Sequence, residues 1–169
     1  LPVPRGGRMD AYPAYGLNCP VPAALACRHA DGNLSTQLVV TGTSQQGDLT
    51  TVRLRDPVYD LRVDLKYRAL ADVDMIEAWA EITNGEKATV TLTGFASATL
   101  PIRHGDVWMS HLYGSWGNEG RVAEEPLRPG EIVVANRDGV RNSATAHAEL
   151  MFSLDGKARE NSGRVIGAA

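Results

Sequence analysis

Y-D-L-R-V-D-L-K-Y-R-A-L, residues 59–70, is a stretch in which apolar and charged side chains alternate almost without interruption. The apolar set is Leu61, Val63, Leu65 and Tyr67, and the charged set is Arg62, Asp64, Lys66 and Arg68. Because successive side chains of a β-strand point to opposite faces of the sheet, this period of two predicts a strand with one buried face. The charged set is interpreted as the solvated face of that strand and not as a binding patch.

Further segments on both sides of this stretch predict more strands. They cover residues 24–29, 34–41, 49–55, 73–83, 88–100, 107–113, 132–136, 147–154 and 164–168. Asp31-Gly32 predicts a hairpin between the first two strands, and Asn84-Gly85 predicts a hairpin between the strands at 73–83 and 88–100. Residues 43–47, 116–125 and 155–162 are predicted to be loops. Short strands at this spacing are typical of an all-β antiparallel sandwich of two packed sheets.

Length and composition are those of an ordinary soluble domain. The chain has 169 residues, of which 43% are hydrophobic and 22% charged, which predicts one domain over residues 1–169. A net charge of -3 argues against nucleic acid or an anionic membrane as a partner, and no apolar run is long enough to span a bilayer. Residues 1–10 lack a signal-peptide pattern, which favours a cytoplasmic location. Whether Cys19 and Cys27 pair is left open by their spacing.

The segment V-W-M-S-H-L-Y-G-S-W-G-N-E, residues 107–119, is the candidate functional stretch. Two glycines bracket a tryptophan, which suits an aromatic ring that stacks on a sugar while nearby polar groups bind its hydroxyls. The alternative is that the aromatic residues of a strand pack in the core and a loop follows them. The candidate residues for sugar contact or for an interface with a second domain are Trp108, His111, Tyr113, Trp116 and Asn118.

Catalytic and metal-binding patterns are absent from the sequence. Ser110 and His111 are adjacent, so alternation places them on opposite faces of a strand, and no G-x-S-x-G elbow is present. The remaining histidines and acids include no His-x-His pair, and no carboxylate is marked as buried. We therefore predict no catalytic triad, no metal site and no cofactor, while a pair of carboxylates for glycoside hydrolysis is left open, because their separation in space decides the mechanism. The residues by themselves indicate a β-sandwich with a candidate sugar-contacting segment.

Three stretches in order along the chain resemble a known family. They are Y-R-A-L-A-D-V-D-M-I-E-A-W-A-E-I-T followed by N-G-E-K-A-T-V-T-L, then S-H-L-Y-G-S-W-G-N-E, and finally L-D-G-K-A-R-E-N-S-G-R-V-I-G-A-A. Over residues 10–169 the chain is similar to the N-terminal domain of glycoside hydrolase family 36, the α-galactosidases. The resemblance implies an antiparallel β-supersandwich that packs against a catalytic (β/α)8 barrel.

The resemblance also implies what this chain does not do. In the family, the nucleophile and the acid/base are aspartates of the barrel, so no residue here inherits either role. The chain is expected to be an N-terminal piece of a longer retaining α-galactosidase, inactive alone. Its expected partners are the barrel of the same parent chain, an α-galactoside and further copies in a homo-oligomer. The alternative is an autonomous carbohydrate-binding module.

Overall fold

The computed structural model of the chain describes residues 10–16, 22–102, 105–137 and 146–169. Within these residues the regular structure is β-strand, apart from one short 3-10 helix at Ala71–Val73. The described residues divide into two compact units, a first unit that extends up to Pro101 and a second unit that extends from Ile102 to Ala169. All pairings between named strands are antiparallel, so the predicted all-β antiparallel class is confirmed.

The first unit contains a two-stranded ribbon and a four-stranded sheet. The ribbon pairs β1 (Leu25–Arg28) with a later strand, and the sheet contains β2 (Val39–Gln46), β3 (Leu49–Arg55), β4 (Leu61–Leu70) and β5 (Met75–Asn84) in that order. The partner of β1 in the ribbon is β6 (Thr91–Phe95). Ribbon and sheet share one core, which consists of Tyr12, Ala24, Leu25, Cys27, Leu54, Leu61, Val63 and Leu65. The expected packing of one sheet on another is therefore present in this unit.

The alternation in β4 directs its apolar residues into this core. Leu61 and Val63 are fully buried and Leu65 nearly so, while Arg62 is exposed. Each fully buried aliphatic side chain contributes about 1.5–3 kcal/mol to folding, so this strand makes a large contribution to the packing of the sheet against the ribbon.

The two predicted hairpins are wrong. The strand after Asp31-Gly32 does not return beside β1, because β1 pairs with β6 and β2 pairs with β3. Asn84-Gly85 lies at the end of β5, and β5 pairs with the preceding strand β4 and not with the following strand β6. A Cβ on Gly85 would lie 2.3 Å from the Asp60 carboxylate, so this glycine permits a close approach rather than a turn of positive φ. The predicted loop at residues 43–47 is also wrong, since β2 runs through it.

Tyr12 attaches the segment before β1 to the core of the first unit. Its hydroxyl donates to the carbonyl oxygen of Ala96 at 2.8 Å. Burial raises the pKa of Tyr12 above its ordinary value of 10.0, because the charged phenolate is poorly solvated in the core. The folded chain therefore holds this proton at a pH where the unfolded chain has lost it.

We expect the stability of the chain to be unaffected by this group below about pH 10 and to fall as the pH rises through the folded-state pKa of Tyr12. Tyr12→Phe should lose about 1 kcal/mol near neutral pH, from the missing hydrogen bond, and should show a shallower alkaline decline. Urea unfolding of both proteins between neutral and alkaline pH measures this. Parallel stability curves for the two proteins would contradict the assignment.

The second unit is a four-stranded sheet. Its strands are β7 (Trp108–Tyr113), β8 (Arg121–Pro126), β9 (Ala146–Arg159) and β10 (Ser162–Ala168), in the spatial order β10-β9-β7-β8. Met109 and Leu154 are buried, and Met109 lies opposite Phe152 of β9 on the same sheet face. The sheet face that carries Met109 is the more buried of the two, because Val122 and Met151 on the opposite face are exposed.

Three sequence predictions in this unit need correction. Residues 132–136 form no strand, β8 begins inside the predicted loop at 116–125, and β9 continues through much of the predicted loop at 155–162. The extension of β9 is accompanied by a large irregularity, because Ser162 pairs with Arg159 whereas Arg164 pairs with Leu154. Asp155 and Gly156 have positive φ there, which lets the chain bulge before it turns.

Candidate functional site

The connection between β7 and β8, residues 114–120, presents the candidate tryptophan. The Asn118 backbone N–H donates to the Ser115 carbonyl at 2.9 Å, and the Ser115 N–H donates back to the Asn118 carbonyl at 3.3 Å. Gly117 has a φ of 72°, whereas Trp116 is not in the left-handed region. This combination is a type II turn with Trp116 at its second position and glycine at its third.

Side chains of the same segment brace the turn. Arg121 Nε donates to Asn118 Oδ1 at 2.8 Å, and the Gly117 N–H donates to Glu119 Oε1 at 2.9 Å. A Cβ on Gly114 would lie 2.7 Å from the Glu119 Cα, so only glycine allows the two ends of the segment to approach this closely. Asn118, which the sequence analysis names as a candidate for sugar contact, thus stabilises the loop itself.

Trp116 is 89% exposed at the tip of this braced turn. A large aromatic side chain exposed to this degree gains nothing from packing within the chain. A rigid backbone that holds an exposed indole is suited to stacking on a flat apolar surface, such as a sugar ring or another protein surface. This geometry is the strongest candidate for a functional site within the described residues.

The structure does not bring the five predicted residues together. Trp108 lies on the opposite face of β7 from His111 and Tyr113, whose rings are 6.3 Å apart, while Trp116 and Asn118 belong to the loop. The Trp108 ring has the Lys157 ammonium 5.9 Å from its centroid. His111 is half-buried, and among the described residues its Nδ1 has no hydrogen-bond partner. A single sugar-binding cluster made from all five side chains is therefore not formed within this unit.

A concave pocket with a volume of about 810 Å³ lies away from the Trp116 turn, along the irregular part of β9 and β10. It is lined by Leu154 through Arg159 and by Ser162 through Arg164. Three of its charged residues are already paired, since Arg164 contacts the Asp155 carboxylate and Lys157 lies 2.5 Å from Glu124. None of the predicted site residues lines this surface.

The first unit contains a buried polar network that sequence reasoning missed. His29, directly after β1, has Nδ1 2.7 Å from Glu86 Oε1 and Nε2 2.9 Å from Thr36 Oγ1. The Cys27 sulfur is 3.2 Å from the same Thr36 oxygen. The Glu86 carboxylate also accepts the Ala30 backbone N–H at 3.1 Å. Cys27, His29 and Thr36 are all almost completely buried.

The chemistry of these groups gives the network a direction. A carboxylate only accepts, so His29 Nδ1–H donates to Glu86. In the neutral imidazole, Nε2 then accepts from the Thr36 hydroxyl, whose oxygen accepts from the Cys27 thiol. Tyr59 stacks on the His29 ring at 3.6 Å with an angle of 10° between the planes. The network is thus satisfied from end to end.

Tyr59 extends these contacts to the surface. Its hydroxyl donates to Asp31 Oδ2 at 2.9 Å and accepts from the Asn33 amide at 2.8 Å. The Asn33 backbone N–H, and after it the Tyr59 hydroxyl, lower the pKa of Asp31 below its ordinary value. The segment at residues 29–36 is therefore tied both to the strand before it and to the residues preceding β4.

Cys27, His29 and Glu86 follow the order of a nucleophile, a base and an acid, but their geometry fits a role in stability and not in catalysis. Cys27 lies 3.8 Å from His29 Nε2, with the Thr36 hydroxyl bonded to both, and the thiol is 1% exposed. A substrate cannot reach a thiol in this position. No group of three potential metal ligands occurs among the described residues. The same portion of the chain contains no helix of a length and hydrophobicity that could cross a membrane.

The outer face of the four-stranded sheet carries the charged residues of the alternating stretch. Arg68 lies over the Trp79 ring at 5.4 Å from its centroid and forms a 2.8 Å ion pair with Glu77. The Trp79 indole N–H donates to Glu81, which lowers the pKa of Glu81, and Lys66 lowers it further. Because Arg68 covers the ring, Trp79 offers a poorer stacking surface than Trp116.

Comparison with known proteins shows one family over nearly the whole chain. The family model described as glycosyl hydrolase family 36 N-terminal domain matches residues 5–169. A curated relative, probable alpha-galactosidase G of Emericella nidulans, is 32% identical over 80 residues, which are 47% of this chain and 11% of the relative. The chain therefore spans a small part of that relative.

Solved structures show the same fold. The GH36 alpha-galactosidase AgaA from Geobacillus stearothermophilus superposes with a TM-score of 0.81 at 22% identity, over 92% of this chain and 24% of that chain. The alpha-galactosidase from Lactobacillus brevis superposes with a TM-score of 0.75 at 21% identity, over 86% of this chain and 22% of that chain. At this identity the likeness concerns the fold, and this chain corresponds to about a quarter of each enzyme.

Proposed function

The chain belongs to the glycosyl hydrolase family 36 N-terminal domain family, and on that premise we propose that residues 1–169 are the non-catalytic N-terminal domain of an α-galactosidase. The family match supports one domain because it spans both compact units. The family inferred from the sequence motifs is thereby confirmed. In this proposal the parent chain hydrolyses α-galactosides with retention, on a catalytic barrel that packs against this domain.

The braced turn with Trp116 carries the more specific part of the proposal. We assign the loop at residues 114–120 to the substrate entrance of the barrel, where the indole forms part of the wall that an α-galactoside passes. The supporting observation is the exposure of Trp116 on a turn whose backbone is held by Asn118, Glu119 and Arg121. AgaA has been crystallised with raffinose and with stachyose, which makes such oligosaccharides suitable probe substrates.

A non-catalytic role has a direct test. The 169-residue chain is expected to leave 4-nitrophenyl α-galactoside unhydrolysed, because the domain supplies neither the nucleophile nor the acid/base of the proposed reaction. The complete parent protein, assayed in parallel, serves as the positive control and is expected to release nitrophenol. Turnover by the chain alone would overturn the proposal, provided that the activity persists through purification and recurs in every preparation that lacks the barrel.

The alternative function is an autonomous carbohydrate-binding module. The observation in its favour is the same exposed indole, which in this case would stack on a sugar without help from a barrel. The two functions differ in where sugar affinity resides. A module binds galactose or melibiose as the isolated chain, whereas an entrance wall contributes only in the complete protein.

A further inference from the structure

Three arginines lie close together on the outer face of the four-stranded sheet in the first unit. Arg55 of β3 is directly opposite Arg62 of β4, and Arg53 lies two residues before Arg55 on the same face. The Asp56 N–H donates to the Leu61 carbonyl at 3.0 Å, so bonded and non-bonded residue pairs alternate from this point along the two strands. The next pair, Arg55 with Arg62, is a non-bonded one, in which side chains approach most closely and Cα atoms are about 4.5 Å apart. Two like charges therefore lie side by side, which by itself destabilises a sheet.

A single carboxylate compensates the two opposed arginines. Asp60 Oδ1 accepts from Arg62 Nε at 3.1 Å and from Arg62 Nη2 at 2.8 Å, while Arg55 Nη2 lies 3.7 Å from the same oxygen. Arg53 donates through Nη2 to the Ser44 hydroxyl at 2.9 Å and has no carboxylate partner in the part of the chain that the structure describes. Because each guanidinium has several N–H donors in one plane, most donors of these three side chains are unused.

A concave pocket with a volume of about 390 Å³ adjoins these arginines. It is lined by Thr41, Arg53, Leu54, Arg55, Arg62 and Asp64. Thr41 is the extra residue of the irregularity in β2 between Val40 and Gly42, where the edge strand departs from regular pairing. The three guanidiniums are accompanied by two carboxylates, Asp60 and Asp64, so a net positive charge remains around the pocket.

We propose that this pocket binds a small ligand that carries one oxyanion group, a carboxylate or a phosphate, next to hydroxyl groups. The oxyanion accepts hydrogen bonds from Arg55 and its neighbouring guanidiniums, whose planar donors match the spacing of carboxylate and phosphate oxygens. Its charge offsets the repulsion between Arg55 and Arg62, which Asp60 compensates only in part. Asp64, which only accepts, is suited to a hydroxyl group of the same ligand. The inference does not depend on the proposed role in an α-galactosidase.

Titration of the full chain with inorganic phosphate, with galacturonate and with galactose tests the proposal. Nuclear magnetic resonance of the backbone amides and of the arginine Nε–H groups follows the binding at low ionic strength. We expect saturable shifts at Arg53, Arg55 and Arg62 with phosphate or galacturonate, and none with galactose, which lacks the charge. Sodium chloride should weaken the binding, because these side chains are exposed and salt screens them. A response to phosphate alone assigns the pocket to phosphate esters, and a response to galacturonate alone assigns it to sugar acids.

Arg55→Gln removes one guanidinium of the opposed pair, and we expect the dissociation constant of the oxyanion to rise about tenfold. The variant should fold as wild type does, since it also removes the like-charge contact with Arg62. Arg68→Gln is the matched control, because Arg68 lies on the same face of β4, forms a 2.8 Å ion pair with Glu77 and does not line the pocket. This variant is expected to leave the dissociation constant unchanged.

Thermal unfolding supplies a second readout. A ligand that binds only the folded chain raises the melting temperature, whereas phosphate also stabilises folded proteins in general through its exclusion from their surface. Arg55→Gln should retain only the general part, so wild type and Arg68→Gln should gain more from the bound oxyanion. Shifts that saturate with neither anion, equal binding of galactose, or an equal gain in melting temperature in all three proteins would overturn the proposal.

Discussion

His29→Ala is expected to lower the free energy of unfolding of the chain by about 3 kcal/mol. The imidazole is fully buried and joins Glu86 on one side to Thr36 on the other. Its removal leaves the largely buried Glu86 carboxylate with one hydrogen-bond donor, from Ala30, and opens a cavity against the Tyr59 ring. Both effects act on the first unit, in the segment that connects β1 to the four-stranded sheet.

Glu86→Gln is the matched control for this prediction. Glutamine keeps the shape of the side chain, and its carbonyl oxygen still accepts from His29 Nδ1–H, while the bond from the Ala30 N–H is lost or weakened. We expect this variant to lose only about 1 kcal/mol. Urea unfolding followed by tryptophan fluorescence, with Trp108 and Trp116 replaced by phenylalanine in all the proteins compared, reports on the first unit through Trp79. If His29→Ala costs no more than Glu86→Gln, the network does not stabilise the fold as described.

Local patterning predicted the strands well because it depends on nearby residues. The alternation of Leu61, Val63 and Leu65 with charged neighbours correctly predicted both the strand and its buried face. The partners of the strands were predicted less well. Asp31-Gly32 and Asn84-Gly85 mark places where the chain changes direction, but a turn signal does not determine which strand lies beside which. The pairing of β1 with β6 joins residues more than sixty positions apart, and no local pattern encodes it.

In the candidate site, too, local features were predicted better than contacts between residues. Of the two alternatives that the sequence left for Trp116, a ring available for stacking and a ring in the core, the structure has the exposed ring, on a turn with positive φ at Gly117. Asn118 was expected to contact a partner, whereas in the structure its amide oxygen holds Arg121, three residues later. Whether Trp116 also contacts a sugar remains a proposal, since the exposed face has no partner within this chain's described residues.

The hydrogen-bond network around His29 could not be predicted from the sequence for a related reason. Cys27 and His29 alternate with the exposed Arg28 and Ala30, which is a local sign that both point to the core. The other members, Thr36 and Glu86, come from segments 7 and 57 residues further along than His29. Their approach depends on how the ribbon and the sheet pack. A histidine that looks isolated in sequence is therefore fully hydrogen-bonded in the fold.

In the proposed function, this domain contributes Trp116 to the substrate entrance of an α-galactosidase. Trp116→Ala in the complete parent protein should raise the KM for raffinose on the order of 30-fold, about 2 kcal/mol, because the exposed indole face is lost. The turn itself should persist, since Gly117 supplies its positive φ. The kcat should change little, because the reacting groups lie elsewhere.

Phe95→Ala is the control, because Phe95 is another exposed aromatic residue, on β6 of the first unit. The decisive measurement is the KM for raffinose of wild type, Trp116→Ala and Phe95→Ala in the complete protein. We expect a large increase in KM for Trp116→Ala alone, with kcat preserved. An unchanged KM in Trp116→Ala, or an equal increase in Phe95→Ala, would contradict it.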